Sequence, residues 1–199
     1  FYDIDTIAQQ SSGSSTVSTT PSGSFSGKLQ LNRTRITFTG KLDSSGKTNL
    51  TLHPKNLSPL TLTLQLEGTD QITGSLSDSV WVAQLAGDRA VFNAKTNPAP
   101  QAARYTLVFR GHYNSTTEPA GDSICTVSID AGGKISLSGT LADATKITQA
   151  STLAGNGNWP FYVLLYSGGG SLLSWIKGDD DPDDPDDVFK GDSDWVKPV

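Results

Sequence analysis

Seven aspartates, Asp179, Asp180, Asp181, Asp183, Asp184, Asp186 and Asp187, fall within nine residues near the end of the chain. Mutual repulsion keeps such a run extended unless a partner neutralises it. Calcium would do so, because it takes about six to eight oxygen ligands with carboxylates prominent among them. The spacing lets successive side chains converge on one ion. It is not an EF-hand, since the turn glycine and terminal glutamate of that loop are missing. The competing readings are a solvated acidic loop and an electrostatic dock for a basic partner.

Other reactive residues are sparse. His53 and His112 are the two histidines, each at a strand end with no histidine or cysteine nearby in sequence. A transition-metal site would need an unusual ligand set. Glu67 and Glu118 are the only glutamates. The remaining aspartates mostly sit in turn contexts such as Asp43-Ser44 and Asp70-Gln71, rather than in a pair suited to glycoside hydrolysis. No nucleophile elbow, P-loop or dinucleotide fingerprint occurs. A Ser-His-Asp triad assembled from remote residues is not excluded by composition, but nothing in the sequence supports one, and no enzyme is expected. Cys125 is the one cysteine, so no internal disulfide forms, and it reads as a small buried hydrophobe. The run Trp159-Pro160-Phe161-Tyr162 reads either as a strand buried in a core or as exposed rings able to stack on sugars or on a neighbouring subunit. The core reading is the simpler. Sequons at Asn32, Asn49, Asn56 and Asn114 carry meaning only in a glycosylating pathway.

The elements that must position these residues are strands, and they come twice. Residues 35–47 align without a gap on residues 134–146, with Ile36 on Ile135, Gly40 on Gly139, Leu42 on Leu141 and Lys47 on Lys146. Upstream, Leu29 to Asn32 aligns on Val127 to Asp130 once the second turn takes one extra residue. Downstream, Leu60 to Glu67 aligns on Pro160 to Ser167, and Asp78-Ser79-Val80-Trp81-Val82 on Asp192-Ser193-Asp194-Trp195-Val196. A repeated supersecondary unit points to a repeat architecture. The hydrophobic period is two throughout, as in Leu60, Leu62, Leu64 and Leu66 alternating with Thr61, Thr63 and Gln65. This predicts strands near 24–32, 34–42, 47–53, 60–67, 70–77, 79–86, 104–111, 123–130, 133–142, 145–152, 159–166, 171–177 and 193–198, with a further candidate at 90–94. Turn signals such as Asp43-Ser-Ser-Gly46 and Gly168-Gly-Gly170 separate them. Short connections favour an all-β antiparallel meander with an internal two-fold duplication. Barrel-like closure would remove its edges. A two-sheet sandwich is the alternative. A recurrent Ser/Thr-Gly-x-Leu motif, at Gly27, Gly40, Gly74 and Gly139, marks bends or close backbone approach within strands.

The expected organisation is a leader over 1–23 and a duplicated domain over 24–199, with copy one at 24–95 and copy two at 104–199. The acidic run is an insertion into a hairpin at 178–191. In the leader, Phe1, Ile4 and Ile7 share a helical spacing, and Ser11 to Gly23 is nearly all Ser, Thr and Gly. We expect Phe1, Tyr2, Ile4 and Ile7 to anchor self-association, with Ser11–Gly23 as a tether adding a strand to the next subunit and so building a filament. The chain carries no methionine and begins at Phe1, which suggests processing from a longer protein.

Net charge is −5, with 18% charged residues. No basic stripe is present to neutralise phosphates, so nucleic acid is not an expected partner. No apolar run approaches the ~20 residues of a helical membrane span. Several phrases in order, among them Ile72-Thr-Gly-Ser-Leu-Ser, Trp81-Val-Ala-Gln-Leu-Ala-Gly-Asp-Arg-Ala, Pro119-Ala-Gly-Asp and Trp159-Pro-Phe-Tyr-Val, resemble a β-rich module of large bacterial secreted and cell-surface proteins. The resemblance covers about residues 24–199. It implies an extracellular setting, no catalytic residues, and a structural or adhesive role. A carbohydrate-binding module using exposed aromatics, with a polysaccharide as partner, is the alternative. Calcium is the one cofactor expected, at the seven aspartates.

Overall fold

Alternation between apolar and hydroxyl side chains writes the strands, because successive residues of a strand face opposite sides. The computed structural model describes residues 1–111, 120–178 and 189–198. They fall into two units, Phe1–Arg89 and Ala90–Val199.

The first unit carries β1 (Gly13–Thr19), β2 (Ser24–Leu31), β3 (Thr34–Lys41), β4 (Lys47–Leu52), β5 (Leu60–Glu67), β6 (Gln71–Ser77) and β7 (Val82–Asp88). They form two antiparallel sheets in the orders β1-β2-β3 and β4-β5-β6-β7. Both sheets turn their apolar faces into one core built on Phe25, Leu29, Phe38, Leu62, Leu64 and Leu76. The second unit carries β8 (Arg104–Phe109), β9 (Ser123–Ile129), β10 (Lys134–Thr140), β11 (Lys146–Thr152), β12 (Trp159–Leu165), β13 (Gly170–Gly178), β14 (Phe189–Lys190) and β15 (Ser193–Val196). One sheet runs β11-β10-β9-β8. In the other, β13 pairs with β12, β14 and β15. Its core is built on Cys125, Val127, Ile135, Leu137, Trp159 and Leu172.

The all-β, antiparallel expectation holds, and the units are blade-like meanders. Barrel-like closure does not hold, and neither does one two-sheet sandwich, since the strands separate into four sheets. The break is local. The Leu42 amide bonds Gly23 O at 2.9 Å, and the Leu66 amide bonds Gly46 O at 3.0 Å. The end of β3 is thus tied to the start of β2, while the approach to β4 is tied to β5. In the second copy the matching strand behaves differently. β11 pairs with β10 from Lys134↔Thr152 to Thr140↔Lys146, whereas β4 pairs with β5. Residues 90–94 form no strand, only an isolated bridge from Asn93 to Asn97.

Pairing also corrects the register of the repeat. Ile36 lies opposite Leu29, and Ile135 opposite Ile129, so the counterpart of Leu29 is Ile129 and not Val127. Downstream, the buried residues Leu60, Leu62 and Leu64 correspond to buried Trp159, Phe161 and Val163, while Pro160 is exposed. The alignment on Pro160 was one residue out, and a one-residue slip moves every side chain to the other face. The Trp81–Trp195 match is not structural either. Trp81 precedes β7, whereas Trp195 lies within β15 opposite Leu172.

The motif glycines are sites of close approach. A Cβ built on Gly27 would lie 2.2 Å from Phe38 Cζ, and one on Gly40 would lie 2.5 Å from Phe25 Cζ. Each ring fills the space over the glycine across from it. On Gly139 a Cβ would meet Cys125 Sγ at 2.3 Å and Ile124 O at 2.5 Å. On Gly74 it would meet Thr63 O at 2.0 Å.

The leader is part of the first unit. It forms no helix beyond a 3-10 turn at Gln9–Ser11, and β1 pairs with β2 over its whole length. Phe1 is buried in the core, with its ring over Gly13. Phe1 and Gly13 exchange backbone hydrogen bonds, and Tyr2 and Gln84 do the same, which caps the outer edge of β7. Ile7 is half-buried and Ile4 is 63% exposed, so of the four expected anchors only Ile4 projects fully outward. Within this chain Ser11–Gly23 is therefore not a free tether. The serine-rich composition misled because β1 is ordered by its partner strand, not by a core of its own.

Two predictions follow from the packing. Gly139→Ala should cost about 1–3 kcal/mol through overpacking against backbone atoms, whereas Gly121→Ala, whose Cβ would sit 3.7 Å from Ala142 Cβ, should be neutral. Urea unfolding reads both, and equal stabilities would contradict the close approach. The second concerns Phe1. In this chain burial pushes the Phe1 amine from 8.0 down to about 6. The folded state therefore binds fewer protons than the unfolded state. Its contribution is complete above pH 8 and is lost as pH falls toward 6. Phe1→Ala should cost about 3 kcal/mol. A stability independent of pH across that window would contradict the buried amine.

Candidate functional site

The expected metal ligands, Asp179, Asp180, Asp181, Asp183, Asp184, Asp186 and Asp187, lie outside the described residues. The strands that flank them do not. Gly178 and Phe189 are paired across β13 and β14, so residues 179–188 connect two neighbouring strands. His112, Asn114 and Glu118 also lie outside the described residues. His53 is exposed just past the end of β4. Glu67 is exposed at the end of β5, where it accepts a hydrogen bond from Thr73 Oγ1 at 3.3 Å. Cys125 is 1% exposed, and desolvation pushes its thiol up to about 11, the behaviour of a packed hydrophobe.

Asp43, Asp78, Asp122 and Asp130 accept hydrogen bonds from backbone amides. Asp43 Oδ1 accepts from the amides of Ser45 and Lys47 and from the Ser45 hydroxyl. Those hydrogen bonds hold its carboxyl below the usual range, the Lys47 amide contributing most. Asp78 accepts from the amides of Val80 and Trp81, Asp130 from those of Gly132 and Lys134, and Asp122 from that of Gly111. Those of Asp43, Asp78 and Asp130 are Asx turns, in which a short carboxylate completes a turn the backbone cannot close alone, whereas Asp122 reaches from the start of β9 to the residues that follow β8. Asn32 and Asn56 sit at φ 50 and 65, the left-handed region favoured in turns.

The aromatic strand faces inward. Trp159, Phe161, Val163 and Leu165 are buried, and the Trp159 indole meets Phe161 and Phe189 edge-on at 5.8 and 6.3 Å. Trp159 Nε1 donates to Gln149 Oε1 at 3.2 Å. Neither Trp159 nor Phe161 is available to stack on a sugar ring.

One cluster of polar and aromatic groups went unread in the sequence. Tyr166 Oη donates to Asp143 Oδ2 and accepts from Trp195 Nε1 at 3.0 Å. Lys197 Nζ lies 4.7 Å over the Trp195 ring. Asp143 comes from the β10–β11 turn, Tyr166 from the 3-10 turn after β12, and Trp195 from β15. Tyr166 and Ser167 adopt φ 50 and 53, left-handed values that cost non-glycine residues about 1–3 kcal/mol each. The side-chain hydrogen bonds of Tyr166 offset part of that cost. Burial, followed by the Asp143 hydrogen bond, pushes the Tyr166 phenol up to about 12. A phenol so protonated, with its oxygen already donating and accepting, is a poor proton acceptor. The arrangement acts as a clasp that fixes β15 to the β10–β11 turn. The one sequence signal for it was a departure between the copies, since Ser44 stands where the second copy has Asp143.

Tyr166→Phe should therefore cost about 0.5–1.5 kcal/mol, because Trp195 Nε1 loses its protein partner. In an absorbance titration of the parent protein one tyrosine should ionise near 12, and that step should vanish in the variant. A parent whose tyrosines all ionise near the ordinary value would contradict the clasp.

No family model matches the chain, no curated protein matches its sequence, and no solved structure matches its fold.

Proposed function

We propose that the chain is a non-catalytic structural or adhesive module working outside the cell or at its surface. The observation that carries this reading is where the reactive side chains go. Asp43, Asp78 and Asp130 complete turns, Asp122 ties the start of β9 to the end of β8, Cys125 and Trp159 fill a core, and the Tyr166–Asp143–Trp195 group clasps a strand. Among the described residues these groups are engaged in holding strands together. What such a scaffold presents outward is broad sheet faces of hydroxyl side chains. The extracellular setting follows the resemblance to bacterial surface modules. Assembly through the leader is not part of the proposal, because that segment belongs to its own unit. Calcium at the aspartates of 179–187 is retained as a stabilising ion.

The test is adhesion under flow. Beads coated with the protein should be retained on glycan-coated surfaces above the level of albumin-coated beads, and a chelator should weaken that retention. Retention no better than albumin on every surface, or turnover of chromogenic ester, peptide or glycoside substrates above a heat-unfolded control, would overturn the reading. Retention indifferent to chelator would remove calcium alone.

A further inference from the structure

We infer that the open face of the β8–β11 sheet, together with its duplicate on the β1–β3 sheet, docks an acidic polysaccharide. The inference rests on the adhesive reading and names its partner. Register places Thr106, Thr126, Ser138 and Thr148 side by side in one row across four strands. A second row runs Arg104, Ser128, Ser136, Ala150, and a third runs Val108, Ile124, Thr140, Lys146. Apart from half-buried Ser128, all of these are exposed. Neighbouring strands lie about 4.8 Å apart and alternate residues about 7 Å apart, so the face carries hydroxyls at regular spacing, with Val108 and Ile124 exposed along one side.

The first unit repeats the grid. Ser18, Ser26 and Thr39 form one row, and Thr16, Lys28 and Thr37 the next. Ser26 and Thr39 occupy the positions of Thr126 and Ser138 under the corrected register. The same arrangement therefore recurs on both halves of the duplication.

Charge supplies the second argument. The chain carries −5 overall. Yet the strand residues on the β8–β11 face include Arg104, Lys134 and Lys146 and no carboxylate, and those on the β1–β3 face include Lys28, Arg35 and Lys41 and no carboxylate. Asp122 and Asp130 border the first of these faces, and both accept backbone amides. Among the described residues none of the six cations is in an ion pair; Arg35 instead donates to Gln30. Two faces are thus positive on an acidic protein, and such a field draws an anionic ligand to them.

The form of the face selects the polymer. Duplex nucleic acid carries a charge every ~1.7 Å and calls for a dense basic stripe. Single strands bind through aromatic platforms, and no aromatic side chain projects from these rows. A chain of uronate sugars instead spaces its carboxylates by whole rings and fills the intervals with hydroxyls. Serine and threonine both donate and accept hydrogen bonds and so match those hydroxyls. The lysines and arginines match the carboxylates.

The experiment measures binding of the whole chain to polygalacturonate by calorimetry, with dextran and single-stranded oligo(dT) as comparison ligands. The charge variants are Arg104→Gln/Lys134→Gln/Lys146→Gln and Lys28→Gln/Arg35→Gln/Lys41→Gln, and Lys134→Arg/Lys146→Arg is the conservative control. Melting curves confirm that each variant folds, and the two charge variants report independently should one of them fail. We expect polygalacturonate to bind, to weaken with added salt, and to lose about tenfold in affinity in either charge variant, while the arginine control is unchanged. Dextran and oligo(dT) should bind more weakly. Absence of polygalacturonate binding, binding indifferent to both charge variants, or tighter binding of dextran or oligo(dT) would overturn the inference. If beads adhere while polygalacturonate does not bind, the inference falls and the adhesive reading stands.

Discussion

A ring laid across a glycine is the contact on which the first unit depends. Phe25 and Phe38 sit in adjacent strands, and each fills the space where a side chain of its neighbour would be, over Gly40 and Gly27. Their rings are 6.2 Å apart and tilted at 58°. A glycine in a strand costs entropy and leaves a gap. A large side chain from the next strand closes that gap and lets two strands bring their apolar faces close to a common centre. In the second unit Cys125 takes the place of Phe25 over Gly139, and the bulk is supplied by Trp159 and Phe161 from β12. The volume moves between elements while the glycine stays.

Closure of the first unit comes from backbone rather than side chains. β1 holds only Val17 as an aliphatic residue, so no local hydrophobic pattern specifies it. Its order comes from an antiparallel ladder with β2, and Phe1 and Tyr2 extend that order to Gly13 and Gln84. Capping the outer edge of β7 in this way answers a general hazard of sheets, an edge left open to other chains.

Much of this was legible in the residues. The alternation of Leu60, Leu62 and Leu64 with threonine placed β5 at the bounds it has, and the strands of β2, β3, β9, β10 and β12 fell within two residues of prediction. What was lost was non-local. β4 and β11 follow matching turns in the two copies but take different partners, so the division into four sheets could not be read from pattern. β1 lacked an apolar face, and β14 is two residues long. Identity misled the alignment at Pro160, where burial would have matched Trp159 to Leu60. Asp143, Tyr166 and Trp195 are separated by 23 and 29 residues, and no motif connects them. The aspartates' turn roles were legible, because an Asx turn is a local event.

Asp43, Asp78, Asp130, Cys125 and Trp159 are engaged in turns and cores, and rows of serine and threonine recur on the outer faces of the β1–β3 and β8–β11 sheets. That account stands on the corrected register, which the cross-strand glycine contacts fix. The most direct measurement is the proton NMR spectrum of Gly27. With the Phe38 ring over it, one Gly27 α-proton should be displaced upfield by the ring current and should return to an ordinary position in Phe38→Leu. An ordinary Gly27 shift in the parent protein, unmoved by that substitution, would contradict the packing and the register built on it.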